Sequence, residues 1–254
     1  MLFRRITQHV KDQNWTAIAI DFVIVVVGVF LGIQLGNWNE SPAEAEREER
    51  LLAELRIELA ESVEQVAIKR RAFDQVALSG ERSVAFLDAG AECNEDCWPR
   101  LVDFFHASQW QQYIVARSTY DEMRQNGWPR SREVLSAMED YLHQYDHIAS
   151  ALERPTRYRA LVRGLIPLAA HEPYWTGCFE LSDGEEAYLA DCPAGVSPEV
   201  ASAAVSAIRD HPEVHPALTE WAGFSAGMHI GFDGLIATTE RAIAVIDAEI
   251  RGTP

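Results

Sequence analysis

The pattern of apolar and polar positions changes character once, near residue 40. From Ala17 to Leu35 the chain reads AIAIDFVIVVVGVFLGIQL, with no polar face and only Asp21 and Gln34 as interruptions. Trp15 and Trp38 flank this run, 23 residues apart. At the rise of an α-helix that spacing is roughly 34 Å, enough to cross a ~30 Å hydrocarbon core with an indole at each boundary. The pattern predicts a transmembrane helix over 17–38. A cleaved signal peptide is the rival, because Ala43-Glu44-Ala45 resembles a cleavage site. The apolar run exceeds the usual ~7–15 residues, however, and that site lies well past its end.

After residue 40 the periodicity becomes amphipathic. Leu52, Leu55, Leu59, Val66, Phe73 and Val76 fall near a 3.5-residue stripe broken by Ser62 and Lys69. They predict a helix over Asn39–Leu78, extending to about Asp88 because Ser79-Gly80 is a weak break. Ser41 is its expected N-cap, Pro42 suits the first turn, and Glu44, Glu46, Glu48 and Glu49 place negative charge at its start. A loop is expected over Gly90–Trp98, a short helix from Pro99 through Leu101, Phe104 and Phe105, and another over 117–126 ending at Gly127. Pro129 opens a helix with Val134, Leu135, Met138, Tyr141, Leu142 and Tyr145 on one side. Residues 152–168 read as helix limited by Pro155 and Pro167, and 171–195 as a hairpin or ordered loop. Ser197–Asp210 and Leu218–Ile250 read as two helices joined by HPEVHPAL. Gly223, Gly227, Gly231 and Gly234 inside the last either admit a close neighbour or break it.

The expected fold is mainly α: one N-terminal transmembrane helix plus an extramembrane, helical-bundle-like domain with a small disulfide-pinned loop or hairpin. The layout is a cytoplasmic tail over 1–16, the membrane helix over 17–38 and a helical domain over 39–254. Arg4, Arg5 and Lys11 precede the span, whereas 37–46 carry no Lys or Arg. This bias puts the N-terminus in the cytoplasm and the large domain in the periplasm of a bacterial inner membrane.

Four cysteines form two local brackets, Cys93/Cys97 and Cys178/Cys192. Two short brackets fit two disulfides in an oxidising compartment, in agreement with the charge bias. Zinc is a poorer reading, since the spacings are wrong for a four-ligand site and no histidine lies beside either pair. The net charge of −17 excludes nucleic acid as a partner, because an anionic surface repels phosphates.

The span itself has a stripe. Gly28, Gly32 and Gly36 recur every four residues, and Asp21, seven residues before Gly28, falls on the same side. Small residues at this spacing let a second helix approach closely, and an intramembrane carboxyl group calls for a partner, water or headgroups. The expected partners are the lipid bilayer and either an integral membrane protein or a second copy of this chain. The alternative is that the glycines are ordinary for a membrane helix and Asp21 reaches the interface.

The segment DFVIVVVGVFLGIQLGNWNE, with Gly32, Ile33, Gln34, Asn37, Trp38, Asn39 and Glu40, resembles the N-terminal signature of a family of bacterial single-pass membrane proteins of unknown function. STYDEMRQNG resembles a mid-chain element of the same family, with Thr119, Tyr120, Glu122 and Gly127 matching and Met123 in place of a leucine. The resemblance implies a membrane-anchored helical domain and no activity to transfer.

Candidate chemistry is sparse. Ser118, Thr119, Tyr120 and Glu122 gather hydroxyls and a carboxylate and are a possible pocket; the plainer account is a capping box with Tyr120 packed inside. His143/His147 and His211/His215 have helical metal-ligand spacing but no third ligand, and HPEVH is not a zinc-protease motif. No catalytic, cofactor or metal residues are assigned. The expected function is a non-enzymatic, membrane-anchored accessory or scaffolding subunit. A periplasmic ligand-sensing domain acting through a partner is the alternative, and an enzyme a distant third.

Overall fold

A computed structural model describes residues 15–182 and 185–252, the side chains of 15–18 and 32–41 excepted. The protein is mainly helical: α1 (Trp15–Asp88), α2 (Trp98–Ala107), α3 (Ser118–Gln125), α4 (Arg132–Ala151), α5 (Arg157–Leu165), α6 (Leu168–Gly177), α7 (Pro198–Asp210) and α8 (Val214–Gly252), with strands β1 (Phe179–Ser182) and β2 (Glu185–Tyr188) between α6 and α7. The chain divides into two units, residues 1–52 and 53–254.

In the first unit the helix begins at Trp15 and passes through Pro42, so the expected start at Asn39 with Ser41 as N-cap is not found. Among the described residues no helix is long and apolar enough to cross a membrane. The expected span is described in part: side chains 19–31 are, while Trp15, Ala17, Gly32, Gln34, Gly36 and Trp38 lie outside the described side chains. The tail up to residue 14 lies outside as well.

In the second unit the remainder of α1 contributes a buried stripe, Leu55, Leu59, Val66, Phe73 and Val76, as the periodicity predicts. It packs on α8, with the Phe73 ring 5.4 Å from that of Phe232 and 6.3 Å from that of Trp221. The two helices approach closely at Gly80, where an added Cβ would lie 2.9 Å from the Ala222 Cβ. Arg56–Asp247 at 2.6 Å and Arg70–Asp233 at 2.7 Å tie the same pair of helices at their rims. On its other side α8 packs on α4: a Cβ at Gly231 would touch Ile148 at 3.4 Å, and Gln144 donates to the Gly231 carbonyl at 3.3 Å. Gly231 and Gly234 therefore admit a close neighbour and leave α8 whole, whereas Gly223 and Gly227 face open space.

Three local expectations are corrected. The helix expected from Pro129 starts at Arg132, because Ser131 is extended and its hydroxyl accepts from the Val134 N–H. The stretch 152–168 holds only α5, since Thr156 caps a fresh start at Arg157. HEPYWTG, expected as irregular, is helical in α6 despite Pro173; the hairpin begins only after Cys178. Both cysteine pairs stand at disulfide distance, with Cα separations of 5.7 Å for Cys93–Cys97 and 5.1 Å for Cys178–Cys192.

Candidate functional site

The element Ser118–Glu122 forms the first turn of α3, and its surroundings were not legible from local sequence. Arg117 occupies the N-cap position without a side-chain cap, so the expected capping box does not form. The cap comes instead from α1. Glu58 Oε2 accepts from the Thr119 N–H at 3.3 Å, the Thr119 hydroxyl at 2.7 Å and the Ser118 hydroxyl at 3.4 Å. A carboxylate at a helix N-terminus satisfies otherwise unpaired N–H groups and meets the positive end of the helix dipole. Tyr120 is buried, as expected for packing, and Glu122 is exposed.

Behind this cap lie tyrosines. Tyr113 and Tyr145 meet edge to face at 5.8 Å. The Tyr141 hydroxyl is pushed up to about 12, chiefly by burial and further by the Glu58 charge, while Ser62 opposes the shift. Burial, then Tyr141 and Tyr145, push the Tyr113 hydroxyl up as well. Glu58 Oε1 and the hydroxyls of Tyr113 and Tyr141 are buried without a hydrogen-bond partner among the described residues. A buried polar atom left unpaired costs ~1–3 kcal/mol, so three in one neighbourhood mark a place where the interior is not optimised for stability alone.

A second polar assembly surrounds residues 106–111. His106 Nε2 donates to the Cys178 carbonyl at 3.2 Å, and burial holds this histidine down to about 4. Gln109 donates to the Tyr174 hydroxyl at 2.7 Å, and Gln111 to the Tyr188 hydroxyl at 2.9 Å. Lys69 donates to Gln111, and Tyr188 to Glu186 at 2.9 Å. From Gln111 to Ala116 buried and exposed residues alternate, the period of an extended strand, yet no strand pairs with it among the described residues. Side chains take over its satisfaction.

No family model, curated protein or solved structure matches this chain. The reading of its sites therefore rests on their geometry.

The remaining candidates are placed as follows. His143 and His147 are exposed on α4 and line a groove of about 390 Å³ together with Phe224, Met228 and Ile230. His211 ends α7, while His215 lies on α8 with Nε2 3.0 Å from Asp88, so this pair does not converge. Among the described residues no cluster of three or more His, Cys, Asp or Glu side chains is arranged to hold a metal. Asp21 is half-buried on its helix, and a Cβ at Gly28 would meet nothing within 4 Å. Sequence reasoning missed Glu58, Tyr113, Gln109 and Gln111. A glutamate on a polar helix face and glutamines in a loop carry no pattern that separates them from solvated ones.

Proposed function

We propose that this chain is a non-enzymatic accessory or scaffolding subunit, anchored by the helix over 17–38 with its large domain on the periplasmic side. Its membrane helix docks through Asp21, Gly28, Gly32 and Gly36 onto an integral membrane protein or a second copy. One observation carries the reading: every large apolar residue from Ile20 to Leu31 is 47–69% exposed, on all faces of the helix. Burying such a side chain fully is worth ~1.5–3 kcal/mol, so half-covering ten of them leaves roughly 10 kcal/mol ungained. That is comparable with the entire ~5–15 kcal/mol stability of a folded domain, and a bilayer supplies it. The open face at Gly28 supports docking on that side, and the two cysteine pairs support an oxidising compartment.

The experiment is gentle detergent extraction of the native membrane, affinity capture of the chain and mass analysis of what accompanies it. A stoichiometric integral-membrane companion that is lost in the Gly28→Ile/Gly32→Ile double variant is the expected result. Recovery of the chain from the soluble fraction overturns the anchor, and unchanged assembly in the double variant overturns the docking stripe.

A second reading, a periplasmic ligand-sensing domain acting through a partner, is favoured by the convergence of Glu58 Oε1, Tyr113 and Tyr141 behind the Ser118–Thr119 turn. Polar groups gathered in an otherwise apolar interior are the usual make-up of a recognition site.

A further inference from the structure

The polar assembly around residues 106–111 holds more cation than anion. Arg159 and Arg163 stand one turn apart on α5, both half-buried. Arg159 donates to the Ser108 carbonyl at 2.9 Å. Arg163 donates to the Ser108 hydroxyl and to the Gln109 amide oxygen, both at 2.9 Å. Its guanidinium also lies 5.5 Å from the Phe105 ring centre and 5.3 Å from that of Trp175. All of these acceptors are neutral.

Among the described residues neither arginine has a carboxylate in ion-pair contact, and most of their N–H donors have no protein partner and are open to solvent. The carboxylate whose field reaches Arg159 is Glu186; it also acts on Lys69, and its Oε2 accepts from the Tyr188 hydroxyl. In a chain with 39 acidic and 22 basic residues, partners for two arginines are not scarce. Leaving two like charges half out of water, one turn apart, is costly in a folded protein. The cost registers on Arg163, held down to about 10 first by burial and then by the neighbouring Arg159 charge.

We propose that Arg159 and Arg163 bind a small free oxyanion, a solute carrying a carboxylate or phosphate group, at the face of α5 beside Trp175. Two planar forked donors match the oxygens of such a group, and a bound anion removes the repulsion that the apo site retains. Ser108 and Gln109 fix the two forks from behind, and Trp175, 36% exposed, forms an aromatic rim against the Arg163 plane. The proposal rests on the second unit alone and stands whether or not the helix of the first unit docks.

The test uses the full chain in a non-ionic detergent, with inorganic phosphate and succinate titrated separately and ionic strength held constant with chloride. A saturable rise in Tm with either anion is expected. Its midpoint moves at least tenfold to higher concentration in Arg159→Gln and Arg163→Gln, and several-fold lower in Glu186→Gln. Arg159→Gln, which gives up a single described hydrogen bond, serves where Arg163→Gln fails to fold. No saturable response in the wild-type chain, or one unchanged in Arg159→Gln, overturns the site. A response to phosphatidylglycerol vesicles without one to the soluble anions also overturns it, by assigning the arginines to a lipid headgroup.

Discussion

His106 illustrates how much one side chain reports. It is 1% exposed, donates to the Cys178 carbonyl and is held near pH 4 by burial, with Asp103 raising and Arg82 lowering it to smaller degrees. In the unfolded chain its ordinary value is about 6.5, so between about pH 6.5 and 4 the unfolded state binds the extra proton. Stability from this residue is therefore complete above pH 6.5 and falls as pH drops toward 4, by up to about 3 kcal/mol. Thermal denaturation across pH 4–7 should show His106→Gln losing less stability on acidification than the wild-type chain; parallel curves would refute the assignment. Ser118 and Thr119 teach a different lesson at the same scale. Their presence at a helix start was readable, but the group they face was not, because the cap lies on Glu58, 61 positions from Thr119. Residue types report what bonds are needed and not which distant atom supplies them.

Among the elements, most were legible where periodicity and punctuation agree. α2, α3, α7 and the hairpin followed from Pro99, Gly127, Ser197 and the Cys178–Cys192 bracket. α6 was not, because Pro173 and a run of aromatics look like a loop locally, whereas Tyr174 stacks on Phe105 at 4.0 Å and is fully buried in the helical geometry. Tertiary packing overrode a weak local preference. Ser79-Gly80 reads as too weak a break to end α1, and the helix does run through it to Asp88, with Gly80 at a close approach to α8. Gly80→Val would drive side-chain atoms into Ala222, and overpacking of this kind costs typically ~1–3 kcal/mol. The expected drop in Tm is checked by denaturation of the purified chain. An Ala222→Gly change in the same background should restore part of the loss, which a propensity effect alone would not permit.

For the whole molecule, the cysteine brackets make the larger energetic statement. In the chain-entropy view a closed loop stabilises by restricting the unfolded ensemble, about 3 kcal/mol for a loop of ~15 residues and less for a shorter one. The Cys178–Cys192 separation of 14 against 4 for Cys93–Cys97 ranks the two. Replacing Cys178 and Cys192 by Ser should lower the denaturation midpoint more than replacing Cys93 and Cys97, by roughly 1 kcal/mol. Equal losses would place the stabilisation in local packing.

The closures around residues 104–109 span long stretches of chain. The Phe104, Ala107 and Ser108 carbonyls are met by Tyr158, Trp221 and Arg159, which lie 54, 114 and 51 positions away. Each pairing closes a large loop before it returns any bond energy. A nascent chain emerging N-terminus first can complete none of them until α5 has been made, and the Trp221 bond must wait for α8. Until then the apolar face of α2 has Phe86 of α1 against Phe104 but not its later mates, and the interval in which this protein is exposed to wrong partners is set by the ribosome rather than by the stability of the finished fold.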